Sequence, residues 1–247
     1  MNQTFFRAEK IMHILLVRGW RQALFGQRVA AATEHVRVLR SIPELSTIVD
    51  VGANRGQFGL AARHCFPESR IIAFEPLARP AEIWRSVFAS DTRTLLFEAA
   101  LGPRAGEMTI NVAGQDDSSS LLPITAAQSK LFPGTGRVGT ETVKMTRLVE
   151  QLPVTQIEAP ALLKIDVQGF ELQALIGCED LLDRFAWVYV ECSFVELYEG
   201  QALADEIIDW LRQRGFSLVG VHHVAYSAGA SVQGDFLFAR NNRNPPH

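Results

Sequence analysis

Apolar residues in this chain follow two rhythms. Short β-branched and aliphatic runs stand at Ile48–Val51, Ile71–Phe74, Leu95–Ala100, Ala161–Val167, Trp187–Val190, Ser217–Val221 and Phe236–Ala239. Such runs predict strands buried on both faces. Between them apolar residues recur at helical spacing: Phe58, Ala61, Ala62, Cys65 and Phe66 up to Pro67, then Ile83, Trp84, Val87 and Phe88 after Pro80. The same spacing returns at Leu172, Leu175 and Ile176 up to Gly177, and at Leu203, Ile207, Trp210 and Leu211 up to Gly215. Alternation of this kind predicts an α/β fold with a mostly parallel sheet and helices on both faces, closed by an antiparallel hairpin.

Two regions break the alternation. Residues 1–43 read as a helical extension, with Phe5, Ile11, Leu15, Leu16, Leu24, Val29, Val36 and Leu39 among Arg and Gln; Gly19 and Gly26 are expected to divide it. It caps the core, or forms a substrate lid, a homo-oligomer surface or a contact for a lipid-linked substrate. Residues of about 103–160 form an insertion within a domain spanning 44–240. It contains an extra strand at Met108–Val112, a short strand around Val143 and Met145, and the polar loop Gly114–Ser120. Asp116, Asp117, Ser118, Ser119 and Ser120 are either a solvated loop or a flap over ligand. His222 to Ser231 is expected as a loop, and 241–247 as a disordered tail.

The chemistry concentrates at Thr47–Phe58, T-I-V-D-V-G-A-N-R-G-Q-F, a strand, a glycine turn and a helix start. Gly52 and Gly56 let a ligand approach bare backbone, and the following helix presents its N-terminus. The spacing is neither G-x-G-x-x-G nor a phosphate-cradling loop with Gly-Lys-Ser/Thr. Asp50 suits a positive ligand group. Glu75, closing the next strand in I-I-A-F-E-P, stands where a carboxylate reaches a ribose diol. A nucleoside with a cationic tail satisfies both, which points to S-adenosylmethionine, with S-adenosylhomocysteine as product. Ala99 and Ala100 leave room for an adenine face.

Composition excludes little. Net charge is −3 over 247 residues, so no basic field points to nucleic acid. Three cysteines, Cys65, Cys178 and Cys192, make no metal or disulfide pattern, and a cytoplasmic setting is expected. No run is long enough to span a membrane.

Together V-D-V-G-A-N-R-G, F-E-P and L-L-K-I-D-V-Q-G-F-E-L resemble the FkbM-type family of S-adenosylmethionine-dependent methyltransferases, over roughly residues 45–240. The resemblance implies a Rossmann-like sheet of seven strands with the last antiparallel. It also implies O-methylation of a small molecule such as a sugar, a glycolipid or a polyketide-type product. It carries cofactor contacts to Asp50, Gly52, Asn54, Gly56 and Glu75, and a site position to Asp166. Ala53, Phe58, Pro76 and Ala100 complete the cofactor-facing set. The family usually has Glu where this chain has Gln168, which favours, as an alternative, a catalytically silent cofactor-binding subunit. An NAD-dependent oxidoreductase would need a glycine where Phe58 stands, or a Tyr-x-x-x-Lys pair, and has neither.

An acceptor hydroxyl needs a base as its proton leaves. Asp166, Glu191 and His222 are the catalytic candidates, at strand ends; His223 alternates with His222. Lys164 is expected to neutralise a nearby carboxylate. Asp166, Glu191 and Asp235 are the carboxylates that would have to converge on Mg²⁺, and no metal is expected. His13, His35, His64 and His247 show no partner pattern and read as structural.

Overall fold

A computed structural model describes residues 12–241. The seven strands of the main sheet are β1 (Thr47–Val51), β2 (Arg70–Phe74), β3 (Thr94–Phe97), β7 (Ala161–Ile165), β8 (Phe185–Ser193), β9 (Phe216–Ser227) and β10 (Ala230–Arg240). Their order is β3-β2-β1-β7-β8-β10-β9, and β10 alone runs opposite to the other six strands. The expected Rossmann-like sheet is therefore present. The order reverses between β1 and β7, where doubly wound sheets open a crevice at their strand ends.

Both faces are covered, and strand alternation decides what each buries. Val49, Val51, Ile72, Leu163, Ile165 and Val190 pack with α7 (Glu171–Gly177) and α8 (Ala204–Gln213). Ile48, Ile71, Leu162 and Tyr189 face the other way, against α2 (Val36–Leu39) and α3 (Gln57–Cys65). Register then sets Asp50 beside Lys164 and Lys164 beside Tyr189, one polar row on this second face.

The N-terminal segment differs from expectation. Gly19 and Gly26 both lie inside one helix, α1 (Arg18–Gln27). Burial of Trp20 and Ala23 outweighs a glycine penalty of about 1 kcal/mol each. The helix ends where Arg28 turns left-handed, φ 59°. Trp20 packs with Trp84 and Phe88, the latter two on or next to α4 (Ala78–Val87). The start of the expected helical extension, with Phe5 and Ile11, and the tail expected to be disordered lie outside the described residues, at 1–11 and 242–247.

Three further differences concern strands. The run expected as one strand, Leu95–Ala100, splits: β3 stops at Phe97, and Ala100–Leu101 is β4 of a second sheet. That sheet, ordered β4-β6-β5, joins β5 (Gly106–Ala113) and β6 (Arg137–Thr146), so much of the inserted region is a packed hairpin. The segment from His222 is no loop, because β9 and β10 continue their pairing out to Ser227 and Ala230. Among the described residues no helix is long and apolar enough to cross a membrane.

Candidate functional site

A cavity of about 480 Å³ opens at the ends of β1, β2 and β7. The turn after β1 forms its floor. Gly52 adopts φ 79°, and a Cβ there would run into the Asp166 carbonyl oxygen, so the strand end admits only glycine. Asn54 and Gly56 are also left-handed, at φ 45° and 95°. The tight bend turns the chain straight into α3, and Gly52, Ala53, Asn54 and Phe58 reach the cavity wall while Gly56 packs under Phe88.

Glu75 closes β2 with its carboxylate fixed from both sides. Oε2 accepts the Asn54 N–H at 2.8 Å, and Oε1 accepts the Leu77 N–H at 2.9 Å. One acidic side chain thus ties the glycine turn to the end of the neighbouring strand. Pro76, Ala99 and Ala100 continue the wall, with Leu77, Leu101, Ile110, Leu121 and Phe170 making it apolar at that end. Asp117 and Ser119 bring the loop of the second sheet to the same cavity.

Asp50 does not touch the cavity. It is fully buried beneath it, and Lys164 Nζ lies 3.1 Å from its Oδ1. Nζ also donates to the Gly52 carbonyl at 3.2 Å and lies 3.8 Å from Asp166 Oδ2. Burial lifts the Asp50 carboxyl, and Lys164 opposes that rise. Burial also works against the lysine's charge, but Asp50 and Asp166 outweigh it and hold the ammonium above its ordinary range. The expected neutralising role of Lys164 has its partner here, and the ammonium faces the cavity beside Phe58.

Asp166 reaches the wall just beyond β7, and Gln168 follows with φ 56°. The Gln168 side chain is a hub. Its Nε2 donates to Asp166 Oδ1 at 2.7 Å and to Glu191 Oε2 at 3.0 Å, while its Oε1 accepts from the Tyr198 hydroxyl at 2.7 Å. Glu191 is held on its other oxygen by Gln233 Nε2 at 2.8 Å and does not line the cavity. Burial first, then Asp166 and Asp235, push its carboxyl well above the usual carboxylate range.

His222 stands apart from the cavity, on a separate hollow with Arg37, Val38 and Ser41. Its neighbour His223 borders the same hollow and also joins a cluster that sequence spacing could not show. His223 Nδ1 is 2.8 Å from Asp235 Oδ2, the Tyr189 hydroxyl donates to the same oxygen at 3.1 Å, and His35 Nδ1 is 3.0 Å from that hydroxyl. His35 lines the main cavity. These residues come from the N-terminal segment, β8, β9 and β10, and only Tyr189 lay in a run already marked as a strand core. Asp166, Glu191 and Asp235 do not bring their oxygens within 4.8 Å of one another, so they form no common cation site.

The profile of the methyltransferase FkbM domain family matches residues 50–218. The 2-O-methyltransferase NoeI of Sinorhizobium fredii (strain NBRC 101917 / NGR234) is 27% identical over 198 residues, covering 76% of this chain and 82% of that protein. Methyltransferase sdnD of Sordaria araneosa is 28% identical over 214 residues, covering 75% and 79% respectively. The 31-O-demethyl-FK506 methyltransferase FkbM of Streptomyces tacrolimicus is 27% identical over 193 residues, covering 70% and 73%.

Proposed function

The chain belongs to the FkbM methyltransferase family, and from that premise we propose that it is an S-adenosylmethionine-dependent O-methyltransferase acting on a small-molecule hydroxyl. The observation that carries the cofactor assignment is Glu75: its carboxylate is locked to the glycine turn and faces the same cavity. A carboxylate held there suits a ribose diol. The apolar wall at Ala99, Ala100 and Leu101 suits an adenine ring, and the bare backbone at Gly52 suits close approach of the rest of the donor. A cavity of about 480 Å³ falls within the range of roughly 300–1,000 Å³ usual for such ligands.

The donor supplies a methyl carbon already activated by its sulfonium. The protein's task is to orient it and to exclude water. Lys164 braces the turn from below, and Asp166 presents a carboxylate to the donor's ammonium or to the acceptor. Oxygen as the acceptor atom is supported by the activities named for NoeI and for the Streptomyces protein, one 2-O and one 31-O. A sugar, glycolipid or polyketide-type hydroxyl is the acceptor class this reading favours.

The test is calorimetric. S-adenosylhomocysteine should bind and NAD should not. Glu75→Ala should weaken S-adenosylhomocysteine binding by roughly 10–100-fold, about 1.4–2.8 kcal/mol. Selective binding of NAD, or unchanged affinity in the variant, would remove the assignment.

A further inference from the structure

We propose that His35 is the general base of the methyl transfer, taking the acceptor's proton at Nε2, with Tyr189, Asp235 and His223 as positioning residues. This rests on the reading above for its reaction. The residue itself lies outside the span matched by the family profile, as do His223 and Asp235.

Proton accounting fixes the ring. The Tyr189 hydroxyl has one proton and donates it to Asp235 Oδ2. Toward His35 it can then only accept, so His35 carries its proton on Nδ1. The lone pair falls on Nε2, which makes no hydrogen bond with the described residues. That is the tautomer a base needs. His35 is 16% exposed, on the wall it shares with Gly52, Lys164 and Asp166. Its ring is clamped edge-on by Phe58, Tyr189 and His223, with centroids at 5.5, 5.6 and 5.1 Å.

The surroundings suit both states of the ring. Burial keeps the resting imidazole neutral; Lys164 and His223 work the same way, while Asp235 and Glu34 oppose them. Once the ring is protonated, Asp235 Oδ2 lies 3.6 Å from Nδ1 to meet the new charge. Asp235 is held ionised because His223, His35 and Tyr189 outweigh its burial. His223 keeps its place at a backbone cost. It is left-handed, φ 45°, in the register shift of β9–β10 pairing that follows the His222–Asp235 pair. Strain of this sort persists only where the surroundings impose it. The carboxylates at strand ends are engaged already: Glu191 on both oxygens, Asp166 by Gln168 and Lys164.

In the step, Nε2 takes the hydroxyl proton as the acceptor oxygen bonds the methyl carbon. The carbon–sulfur bond breaks with its electron pair going to sulfur, and the imidazolium later releases its proton to solvent.

The tautomer can be read without knowing the acceptor. Proton–nitrogen correlation spectra of isotope-labelled protein, with His35→Gln to assign the ring, should show a neutral Nδ1–H imidazole at about pH 7. An Nε2–H or doubly protonated ring would overturn the proposal. S-adenosylhomocysteine should bind His35→Gln within about threefold of the parent, while kcat on a panel of glycoside and polyketide acceptors should fall roughly 10²–10⁴-fold with KM little changed. Tyr189→Phe should lower kcat less and return the ring to a mixed tautomer. An affinity loss beyond about tenfold in His35→Gln would make the residue a donor contact and overturn the base. Chelator-sensitive activity restored by Mn²⁺ would make His35, His223 and Asp235 an ion site, with the same consequence. If the parent protein binds no S-adenosylhomocysteine, the reaction assignment fails; the tautomer measurement is read independently.

Discussion

Glu171 should make this protein less stable as pH rises, and Glu171→Gln should remove that dependence. The carboxyl is 3% exposed at the start of α7. Burial pushes it from 4.5 up to about 7; bonds from backbone N–H groups oppose the rise and Asp166 adds to it. The folded value lies above the unfolded one, so the stabilising protonated form is fully present below about pH 4.5 and lost as pH climbs through about 7. A gap of about 2.5 pH units, at about 1.36 kcal/mol each, comes to about 3 kcal/mol. Both local bonds end on Oε1, from Val167 N–H at 3.1 Å and Gly169 N–H at 2.9 Å. A glutamine carbonyl can accept both, so the substitution removes the ionisation and keeps the geometry. Urea unfolding of parent and variant from about pH 5 to pH 8.5 is the assay. The variant should exceed the parent by close to 3 kcal/mol at the upper end and by under about 1 kcal/mol at the lower end. Other raised groups such as Glu191 are common to both proteins and largely cancel in the difference. A stability difference that does not change with pH would refute the reasoning.

Three further variants probe the Asp50–Lys164 pair and the Gln168 hub. Lys164→Met leaves Asp50 buried without its cation and should cost about 3–5 kcal/mol, while Asp50→Asn with Lys164→Met should recover at least half of it in chemical denaturation. Gln168→Glu sets a third carboxyl against Asp166 and Glu191, now 2.7 and 3.0 Å from the amide nitrogen. It should lower the melting temperature more at pH 8 than at pH 5, because the added charge has like charges for neighbours; an equal drop at both would count against it.

The Gln168 hub shows why part of the site was hidden. Its motif marked the turn, and the left-handed Gln168 and Gly169 were implicit in a strand ending on Q-G. Its distant partners were not: Tyr198 arrives from a loop 30 residues on, and Glu191 from a strand 23 residues on, where Gln233 of the antiparallel neighbour holds its other oxygen. In the sequence His35 reads as structural because no sequence neighbour is a partner; its contacts lie 154 residues away at Tyr189 and further still at Asp235.

By itself, the sequence determined the alternation of strands and helices, the glycine turn, and the acid closing the next strand. These are local consequences: period, glycine conformational freedom and strand ends are written in consecutive residues. Tertiary structure alone decided that Asp50 lies beneath the cavity rather than in it. Parallel pairing in this register sets Lys164 directly beside Asp50, and a buried carboxylate is far better met by a neighbouring ammonium than left for a ligand. It also decided which histidine meets the cavity: packing against Phe58 and Tyr189 sets His35 on its wall, while a bulge in β9 turns His223 toward Asp235 and both strand histidines border a separate hollow.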